Sequence, residues 1–389
     1  MPSDVAAHAP NPPECLPMPR DDDVPLVILH VDPELGVGGG EAQVLGLVRH
    51  LAAAGDRQVV AADPRGALAG AAAALGIAVV PLRIRNHADV LAGRRLARLL
   101  ASERYDIVHF HTARAHAMSA FLGRSPARRV VTRRMDYPLR GGRYARWLYN
   151  RGADAVVAIS EGVRTALVAS GVRPERIAVV PSGVDIERFA AAADRRDPER
   201  TRLGLRAGEF VVAIVGALED RKGHATLLEA VALVREPEVR LLCAGTGSLA
   251  DALAGQCDAL GLGERVRFLG RVEDVPGLLA AVDAVAMPSR HEGLGVAALE
   301  AMAAGRPLVA SRVGGLPEVV GDEGGLLVEP GDVAGLAAAI ARLARDPETA
   351  RALGAAGRAR AASRFTLAAM ARGTRAVYRR LMSVSAGPA

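Results

Sequence analysis

The feature that most constrains the fold is an alternation of short apolar runs and helical patterns, which occurs twice along the chain. In the first half the predicted strands are Leu26–Val31, Gln58–Ala62, Ile77–Leu82, Asp106–His111, Arg129–Arg133, Asp154–Ile159 and Ile177–Val180. In the second half they are Phe210–Val215, Val239–Ala244, Val266–Leu269, Asp283–Met287, Pro307–Ala310 and Gly325–Val328. Helical patterns such as Glu41–Ala54 and Asp89–Ser102 lie between them. Such alternation predicts parallel sheets covered on both faces. We therefore expect an α/β protein with two Rossmann-like, doubly wound domains that face each other across a cleft, with ligands at the carboxyl ends of the strands.

A change in composition marks the expected boundary between the two halves. The segment from Ile186 to Ala207 is charged and poor in apolar residues, so we interpret it as a linker and the entry to the second domain. The predicted organisation is a tail (1–23), an N-terminal domain (24–190), a C-terminal domain (191–362) and a final helical segment (363–389) that crosses back to the N-terminal domain. The tail is rich in proline and lacks the apolar core of a signal peptide, so we expect it to be disordered.

Composition narrows the functional classes. Half of the 389 residues are hydrophobic but only 3% are aromatic, so the core must be aliphatic. The formal charge of +6 comes from arginine, because Lys222 is the only lysine. Its survival is due either to chance under a composition bias or to a specific role. Cys15, Cys243 and Cys257 have no metal-ligand spacing, which is typical of a protein in a reducing cytoplasm. No apolar run is long enough to span a bilayer.

The stretch Ser289–Glu318 contains the most informative pair of acidic residues. It predicts a helix from about Leu294 to Ala304, with Glu292 in the loop before the helix and Glu300 about two turns inside it. A carboxylate inside an Ala-rich helix costs free energy unless it has a partner, and a Gly-rich helix start favours anions. These features fit a ligand with a phosphate at one end and hydroxyls at the other, such as a nucleotide sugar. An ordinary surface helix with two solvated glutamates is the alternative.

Each half also carries a loop with phosphate-binding character after its first strand. In the first half the residues 36–41 read Gly-Val-Gly-Gly-Gly-Glu, which is similar to a dinucleotide fingerprint, with Asp63 as a candidate ribose acid. Glu41, however, occupies the position where that fingerprint has glycine or alanine. In the second half, adjacent Arg221 and Lys222 precede a glycine and a helix, which suits a diphosphate. A solvated loop with two basic residues is the alternative.

Two histidines close the predicted strand Asp106–His111. The side chains of His109 and His111 alternate onto the same face at the carboxyl end of the strand, where the cleft is expected. A histidine there can hydrogen-bond a reacting sugar, and a purely structural role is equally compatible with the pattern.

Taken in order, these motifs resemble the family-4 retaining glycosyltransferases, which have the two-domain glycosyltransferase-B fold. The resemblance runs from about Val24 to Leu381, and its most specific element is Glu292–Glu300, which fits the Glu-x7-Glu motif of that family. Supporting motifs are Gly38-Gly39-Gly40-Glu41, His109-Phe110-His111, Ile159-Ser160-Glu161, Val180-Pro181-Ser182-Gly183-Val184-Asp185, Lys222-Gly223 and Gly314-Gly315-Leu316-Pro317-Glu318.

The resemblance implies a role for each matching position. Glu300 is expected to hold the ribose hydroxyls of the donor, Glu292 a hydroxyl of the donor sugar, and Lys222 the leaving diphosphate. His111 is expected near the anomeric carbon. The backbone contacts to sugar and phosphates are expected from Gly39, Gly40, Gly293, Leu294 and Gly295.

The resemblance also implies a mechanism without a metal or cofactor. Stabilisation of the leaving diphosphate is electrostatic, and retention follows from a front-face reaction in which the leaving phosphate helps to deprotonate the acceptor. No Asp-x-Asp metal motif occurs in the part expected to fold. The chain departs from the family at Ala217, where arginine is usual, and Arg221 is a candidate replacement for that charge.

A basic and aromatic segment between residues 124 and 151 suggests the acceptor side. Arginines are dense there, one acid interrupts them, and Tyr137, Tyr144, Trp147 and Tyr149 are interleaved. In this fold the N-terminal domain takes the acceptor, so the segment suits a phosphorylated, lipid-linked acceptor or an anionic membrane surface. Nucleic acid is a competing partner that we do not expect, and a merely soluble basic face is also possible. The candidate residues are Arg128, Arg129, Arg133, Arg134, Arg143 and Arg146.

The sequence therefore predicts a hexosyltransferase-type retaining glycosyltransferase. We expect it to move a sugar from a nucleotide diphosphate sugar to a glycan or lipid-linked acceptor in cell-envelope or polysaccharide assembly. A cytoplasmic location, with peripheral attachment to the membrane, fits these features. Two alternatives remain: a nucleotide-sugar 2-epimerase of the same fold and a nicotinamide-dependent oxidoreductase.

Overall fold

The computed structural model describes residues 24–36, 38–236 and 238–383 and contains two parallel sheets, as the alternation predicted. The predicted tail, residues 1–23, lies outside the described residues, as do Cys15 and the last residues, 384–389. Cys243 and Cys257 are buried free thiols. Within the described ranges, every helix is too short or too polar to cross a bilayer.

The first sheet has seven strands in the order β3-β2-β1-β4-β5-β6-β7. Its strands are β1 (Val27–Asp32), β2 (Arg57–Ala62), β3 (Ala78–Pro81), β4 (Ile107–Phe110), β5 (Arg128–Arg133), β6 (Ala155–Ala158) and β7 (Ile177–Val179). Its helices are α1 (Gly39–Ala53), α2 (Ala67–Ala74), α3 (Val90–Ser102), α4 (Ala113–Ala117), α5 (Gly142–Arg151) and α6 (Glu161–Ala169). The strand order reverses between β1 and β4, so a crevice opens at their carboxyl ends.

The segment from Ile186 to Ala207, predicted as a linker and the entry to the second domain, contains two short helices. It contains α7 (Ile186–Ala190) and α8 (Arg196–Arg202). Arg196 and Arg200 bind Asp283 at 2.5 and 3.3 Å, so α8 is attached to the second half. The helix α8 is held by arginine ion pairs, so its sequence lacks the apolar stripe by which helices are recognised. The position of the domain boundary stays a prediction.

The second sheet has six strands in the order β10-β9-β8-β11-β12-β13. Its strands are β8 (Phe210–Val215), β9 (Val239–Ala244), β10 (Val266–Gly270), β11 (Ala284–Met287), β12 (Leu308–Ser311) and β13 (Gly325–Val328). Its helices are α9 (His224–Leu233), α10 (Ala250–Ala259), α11 (Val275–Ala281), α12 (Val296–Ala303), α13 (Leu316–Val320), α14 (Val333–Arg345) and α15 (Pro347–Arg364). Here the strand order reverses between β8 and β11, and the loops after these two strands lie at the same crevice.

The chain passes between the two halves twice, and the two passages are hydrogen-bonded to each other. The N–H of Val184 donates to the carbonyl of Phe365 at 2.7 Å. The last helix, α16 (Leu367–Ser383), then packs on the first sheet, where Tyr378 is fully buried. Arg375 binds the buried carboxylate of Asp56 at 2.7 Å, so the helix is fixed by charge as well as by apolar contact.

Candidate functional site

The helix α12 begins later than the sequence predicted. Gly295 has a φ of 94°, in the left-handed region, and the helix starts only at Val296. Leu294 is 1% exposed because its side chain is buried in the loop, and this burial produced the apparent helical spacing. A Cβ at Gly295 would lie 2.7 Å from the side chain of Leu316, so both backbone conformation and space require glycine there.

Lys222 and Glu292 form an ion pair in the crevice of the second half. The lysine lies in the loop after β8, the glutamate in the loop after β11, and Nζ is 2.5 Å from Oε2. Their side chains are 14% and 9% exposed. The backbones of these two loops, residues 216–223 and 288–295, are in contact, since a Cβ at Gly223 would lie 1.9 Å from the carbonyl oxygen of Pro288. An anion that enters here must share the ammonium group with Glu292.

Glu300 lies half-buried on α12 and lines a cleft of about 240 Å³ between the two halves. Gln43 and Arg49 of α1, Asp185 and Arg188 line the cleft opposite it. Burial raises the pKa of the Glu300 carboxyl to about 7, and the positive charge of Arg188 opposes that shift. Within the described residues the carboxylate accepts no hydrogen bond, so it is available to ligand hydroxyls.

The loop that carries Glu292 is seated on the first half of the chain. Ser160 Oγ donates to the carbonyl of Gly293 at 2.7 Å, and Asp136 accepts from the N–H of Glu292 at 3.3 Å. A Cβ at Gly293 would lie 1.9 Å from the carbonyl oxygen of Arg134, so the two backbones are in direct contact. Sequence reasoning did not assign Asp136 or Ser160 to the site, because no local pattern shows which distant loops meet.

A second contact between the halves uses the charge preference of a helix start. Glu318 accepts from the N–H groups of Glu161 and Gly162, both at 3.0 Å, at the beginning of α6. The first-turn N–H groups of a helix have no partner within it, so a carboxylate there is favourable. This arrangement places the Gly314–Glu318 motif against the Ile159–Glu161 motif, which are far apart in sequence.

The glycine-rich loop of the first half faces the start of α12. A Cβ at Gly39 would lie 3.5 Å from the side chain of Val296, whereas one at Gly40 would have no atom within 4 Å. The N–H of Gly38 donates to the Glu41 carboxylate at 2.8 Å. Glu41 therefore closes its own loop, which explains why it stands where a dinucleotide fingerprint has a small residue.

The histidines of β4 are both buried, and their surroundings differ. His109 binds Tyr378 at 2.6 Å and Thr132 at 2.7 Å, so both of its nitrogens have structural partners. His111 Nε2 lies 2.9 Å from His30 Nδ1, while His111 Nδ1 is buried without a partner among the described residues. His30, His109 and His111 place ligand atoms within 4.8 Å of one another, a spacing that could hold a metal ion.

Asp32 is a buried acid that the sequence reasoning missed. It ends β1, beside the crevice, and is 2% exposed. Burial raises its pKa to about 6, and Arg134 opposes the shift by its charge. Its sequence signal is a carboxylate directly after an apolar strand and before the glycine-rich loop.

Two candidate residues are engaged by neighbours in their own loops. Arg221 Nε donates to Glu219 at 2.8 Å, so the proposed replacement for the arginine absent at Ala217 is bound to an acid. The Asp63 carboxylate accepts two hydrogen bonds from the Arg65 guanidinium, which lower its pKa to about 2. That pairing fills the position proposed for a ribose-binding acid.

The six arginines selected for the acceptor side do not form one surface. Arg128 and Arg129 lie at the start of β5, whereas Arg133 and Arg134 lie at or beyond its end, roughly 16 Å away. Arg133 donates to two backbone carbonyls that follow it, and Arg134 belongs to the contact with Gly293. The prediction treated neighbours in sequence as neighbours in space, which an extended strand does not allow.

The remaining two arginines lie on one exposed helix. Arg143 and Arg146 are exposed on α5, together with Tyr144 and Trp147. The rings of these two aromatic residues are 6.0 Å apart and stacked. These two arginines therefore share an exposed helix with two aromatic residues, which the other four candidates do not.

Both halves of the chain match models of glycosyltransferase families. Residues 195–360 match the model of the family described as glycosyl transferases group 1, and residues 37–188 match glycosyltransferase family 4. The chain is 31% identical to alpha-maltose-1-phosphate synthase of Mycolicibacterium smegmatis over 354 residues, which cover 82% of this chain and 87% of that protein.

Other relatives match over shorter lengths. Identity is 46% with D-inositol 3-phosphate glycosyltransferase of Mycobacterium marinum, over 39% of this chain and 34% of that protein. The chain thus spans about a third of that relative. A crystal structure of Anabaena Alr3699/HepE with UDP and glucose has a TM-score of 0.80 at 26% identity and covers 92% of this chain and 100% of that one. Sucrose-phosphate synthase from Thermosynechococcus elongatus has a TM-score of 0.77 at 25% identity, with the same coverage.

Proposed function

The chain belongs to the group 1 glycosyl transferases of glycosyltransferase family 4, and we propose that it transfers a hexose from a nucleotide diphosphate sugar to an acceptor hydroxyl with retention of configuration. The observation that carries the proposal is the ion pair of Lys222 and Glu292 in the loops before α12, together with Glu300 on that helix. The cation and one acid lie in the loops that precede α12, and the second carboxylate, which accepts no hydrogen bond within the described residues, lines the cleft from the helix itself. These groups match the phosphates, sugar and ribose of such a donor in that order.

The family assignment favours transfer over the two alternatives considered from the sequence. The nicotinamide alternative needed Asp63 as a free ribose acid, and that carboxylate is bound to Arg65. The epimerase alternative shares the fold, but the relatives named above are transferases and synthases. The UDP and glucose bound to Alr3699/HepE further support a nucleotide sugar as the donor here.

The proposed reaction is governed by charge. The bond between the anomeric carbon and the phosphate oxygen breaks, and its electron pair stays on the diphosphate. Lys222 and the N–H groups at the start of α12 stabilise that negative charge. The acceptor oxygen forms its bond to the anomeric carbon on the same face, and its proton passes to the departing phosphate oxygen. Atoms and charges balance without a protein nucleophile, so Glu292 is assigned to a sugar hydroxyl.

The remaining candidate residues orient the donor. Glu300 binds the ribose hydroxyls, which supply the hydrogen bonds that its carboxylate lacks. Gly39 and Gly40 close over the phosphates from the first half, and the backbone of Gly293 and Gly295 borders the sugar. No metal or cofactor is required in this scheme, because Lys222 and the helix start neutralise the leaving group.

The function is tested by screening a panel of nucleotide diphosphate sugars for release of nucleoside diphosphate. We expect slow hydrolysis of one donor, unchanged by a chelator, and an α-configured product from an α-linked donor by NMR. Glu300→Gln should reduce kcat/KM strongly. Glu348→Gln, an exposed change on α15, is the matched control and should have no effect. Turnover of none of the panel, or inversion at the anomeric carbon, would contradict the proposal.

For the acceptor we propose a lipid-linked or membrane-borne glycan, reached through the outer face of the first half. The helix α5 exposes Arg143, Arg146 and the stacked pair Tyr144 and Trp147. Basic and aromatic side chains on one helix face favour the interface of an anionic membrane. The crossovers from β3 to β4 and from β5 to β6 run in the same direction along the sheet, so right-handed connections place α3 and α5 on the same side of it. The helix α3 exposes two apolar and three basic residues, namely Val90, Leu91, Arg94, Arg95 and Arg98. These two helices define a membrane-facing surface.

Sedimentation with vesicles tests this attachment. Binding should require phosphatidylglycerol or another anionic lipid and should weaken as salt rises. Trp147→Ser with Arg143→Gln should reduce it several-fold, while Arg342→Gln, an exposed change in the second half, should not. Binding that is absent or independent of salt would remove the membrane proposal, and equal binding to nucleic acid would indicate a non-specific basic surface.

A further inference from the structure

A layer of polar side chains lies between the first sheet and α16, where an apolar core is usual. His30 of β1 and His109 of β4 are in register across the two strands. Gln58 of β2 and His111, which follows β4, extend this layer on either side. His30, Gln58 and His111 are 0%, 5% and 2% exposed, so each hydrogen bond in the layer affects stability.

The orientation of one amide sets the direction of these hydrogen bonds. Gln58 Nε2 donates to the backbone carbonyl of Asp56 at 3.0 Å. A carbonyl only accepts, so the amide nitrogen of Gln58 must face Asp56 and its Oε1 must face His30. The distance from Gln58 Oε1 to His30 Nε2 is 2.8 Å. His30 Nε2 therefore carries a proton.

The position of the proton on His30 determines the position of the proton on His111. Burial lowers the pKa of His30 to about 4 and that of His111 well below its usual range, so both rings are neutral and carry one proton each. With its proton on Nε2, His30 has a bare Nδ1, which can only accept. His111 Nε2, 2.9 Å away, must donate to it. The Nδ1 atom of His111 is then also bare.

That bare nitrogen is an acceptor without a donor. It is buried, it has no partner within the described residues, and it lies just beyond β4, where the strand order reverses. Ligands of doubly wound sheets bind at this position. On the other side of the crevice, Gly293 touches the backbone of Arg134, which follows β5, the strand next to β4.

We propose that the hydrogen bonds linking Asp56, Gln58 and His30 fix the tautomer of His111, so that its Nδ1 accepts a hydrogen bond from a hydroxyl of the donor sugar. In this hydrogen bond the sugar hydroxyl is the donor and the ring nitrogen is the acceptor. Gln58 and His30 are positioning residues, since they act through His111 and do not touch the sugar. The assignment of the hydroxyl rests on the proposed function, whereas the fixed tautomer does not.

The tautomer is tested first in the unmodified protein by ¹⁵N–¹H long-range correlation on ¹⁵N-histidine-labelled protein, with His111→Asn used for assignment. We expect His111 with its proton on Nε2 and a bare Nδ1. Treatment with a chelator should leave the spectrum unchanged. A proton on Nδ1 would overturn the inference, and a chelator-dependent shift would instead assign the three imidazoles to a metal ion.

The role of these hydrogen bonds in sugar binding is tested with Gln58→Leu. We expect a mixture of His111 tautomers and about tenfold weaker binding of the nucleotide sugar, with the affinity for the nucleoside diphosphate alone unchanged. Thr132→Val, which removes a hydrogen bond to His109 in the same layer, is the matched control and should leave the tautomer and the sugar preference intact. If His111 keeps a single tautomer in Gln58→Leu, or if the affinities for the nucleotide sugar and the nucleoside diphosphate fall equally, these hydrogen bonds do not position His111. The unmodified protein with the expected tautomer should bind one nucleotide sugar more tightly than the corresponding nucleoside diphosphate. If it binds none more tightly, the assignment of the sugar hydroxyl is wrong, but the fixed tautomer is unaffected.

Discussion

Removing the charge of Glu300 should abolish a pH dependence of donor binding. The pKa of its carboxyl is raised to about 7 by burial, so much of it is protonated near neutral pH. The ionised form is the one that accepts hydrogen bonds from two ribose hydroxyls. For a pKa of about 7, the ionised fraction falls roughly tenfold from about pH 8 to about pH 6, and the affinity for a nucleoside diphosphate should fall by the same factor.

The same shift predicts the pH dependence of folding stability. An unperturbed glutamate titrates at 4.5, so the folded protein retains a proton that the unfolded chain has lost between about pH 4.5 and about pH 7. Stability must therefore decrease as pH rises through this window, by about 3 kcal/mol at most. Glu300→Gln carries no such charge, so its stability relative to the unmodified protein should increase by that amount across the window.

Isothermal titration calorimetry at several pH values measures the binding effect. The phosphate itself titrates near pH 6, so the quantity to compare is the ratio of affinities between the unmodified protein and Glu300→Gln at each pH. Pyrophosphate, which lacks the ribose, should bind both proteins equally at every pH. A ratio that does not change with pH, or a pyrophosphate affinity that depends on Glu300, would show that the ionised Glu300 carboxylate does not bind the ribose.

Three further predictions follow from buried charges. Lys222→Met should reduce kcat about a hundredfold or more and destabilise the protein by about 2–3 kcal/mol, whereas adding Glu292→Gln should restore thermal stability without restoring turnover. Asp56→Ala leaves the Arg375 guanidinium without its carboxylate and should cost about 3–5 kcal/mol in urea unfolding, and a loss below 1 kcal/mol would show that this ion pair does not hold α16 in place. Glu318→Ala removes the acceptor for two N–H groups at the start of α6; small-angle scattering should then report a larger mean radius with nucleoside diphosphate bound, and an unchanged radius would contradict its role in holding the halves together.

Much of the fold could be predicted because strand positions depend on local sequence. Phe210–Val215, Val239–Ala244 and Gly325–Val328 have the predicted bounds, since each is an apolar run with polar or glycine residues at its ends. The start of α12 was predicted too early, because Leu294 is buried by the loop and not by a helix. The domain bounds, the roles of the site residues and retention of configuration stay predictions.

The site could be predicted only where one motif carries it. Lys222, Glu292 and Glu300 were selected from local patterns; the first two form an ion pair, and the third lines the cleft between the halves. The hydrogen bonds of His30 and Gln58 join strands that are 28 and 81 residues apart, and no local pattern specifies such pairs. The available signal was a polar residue inside the apolar strand at His30, whereas Gln58 stands at the start of its strand beside Arg57 and carries no such signal.

A crystal structure with a non-hydrolysable nucleotide sugar tests the central claim most directly. We expect a phosphate oxygen to replace Glu292 as the partner of Lys222 Nζ, while both ribose hydroxyls bind Glu300. A ligand bound elsewhere, with the ion pair between Lys222 and Glu292 intact and the Glu300 carboxylate still without a partner, would contradict it.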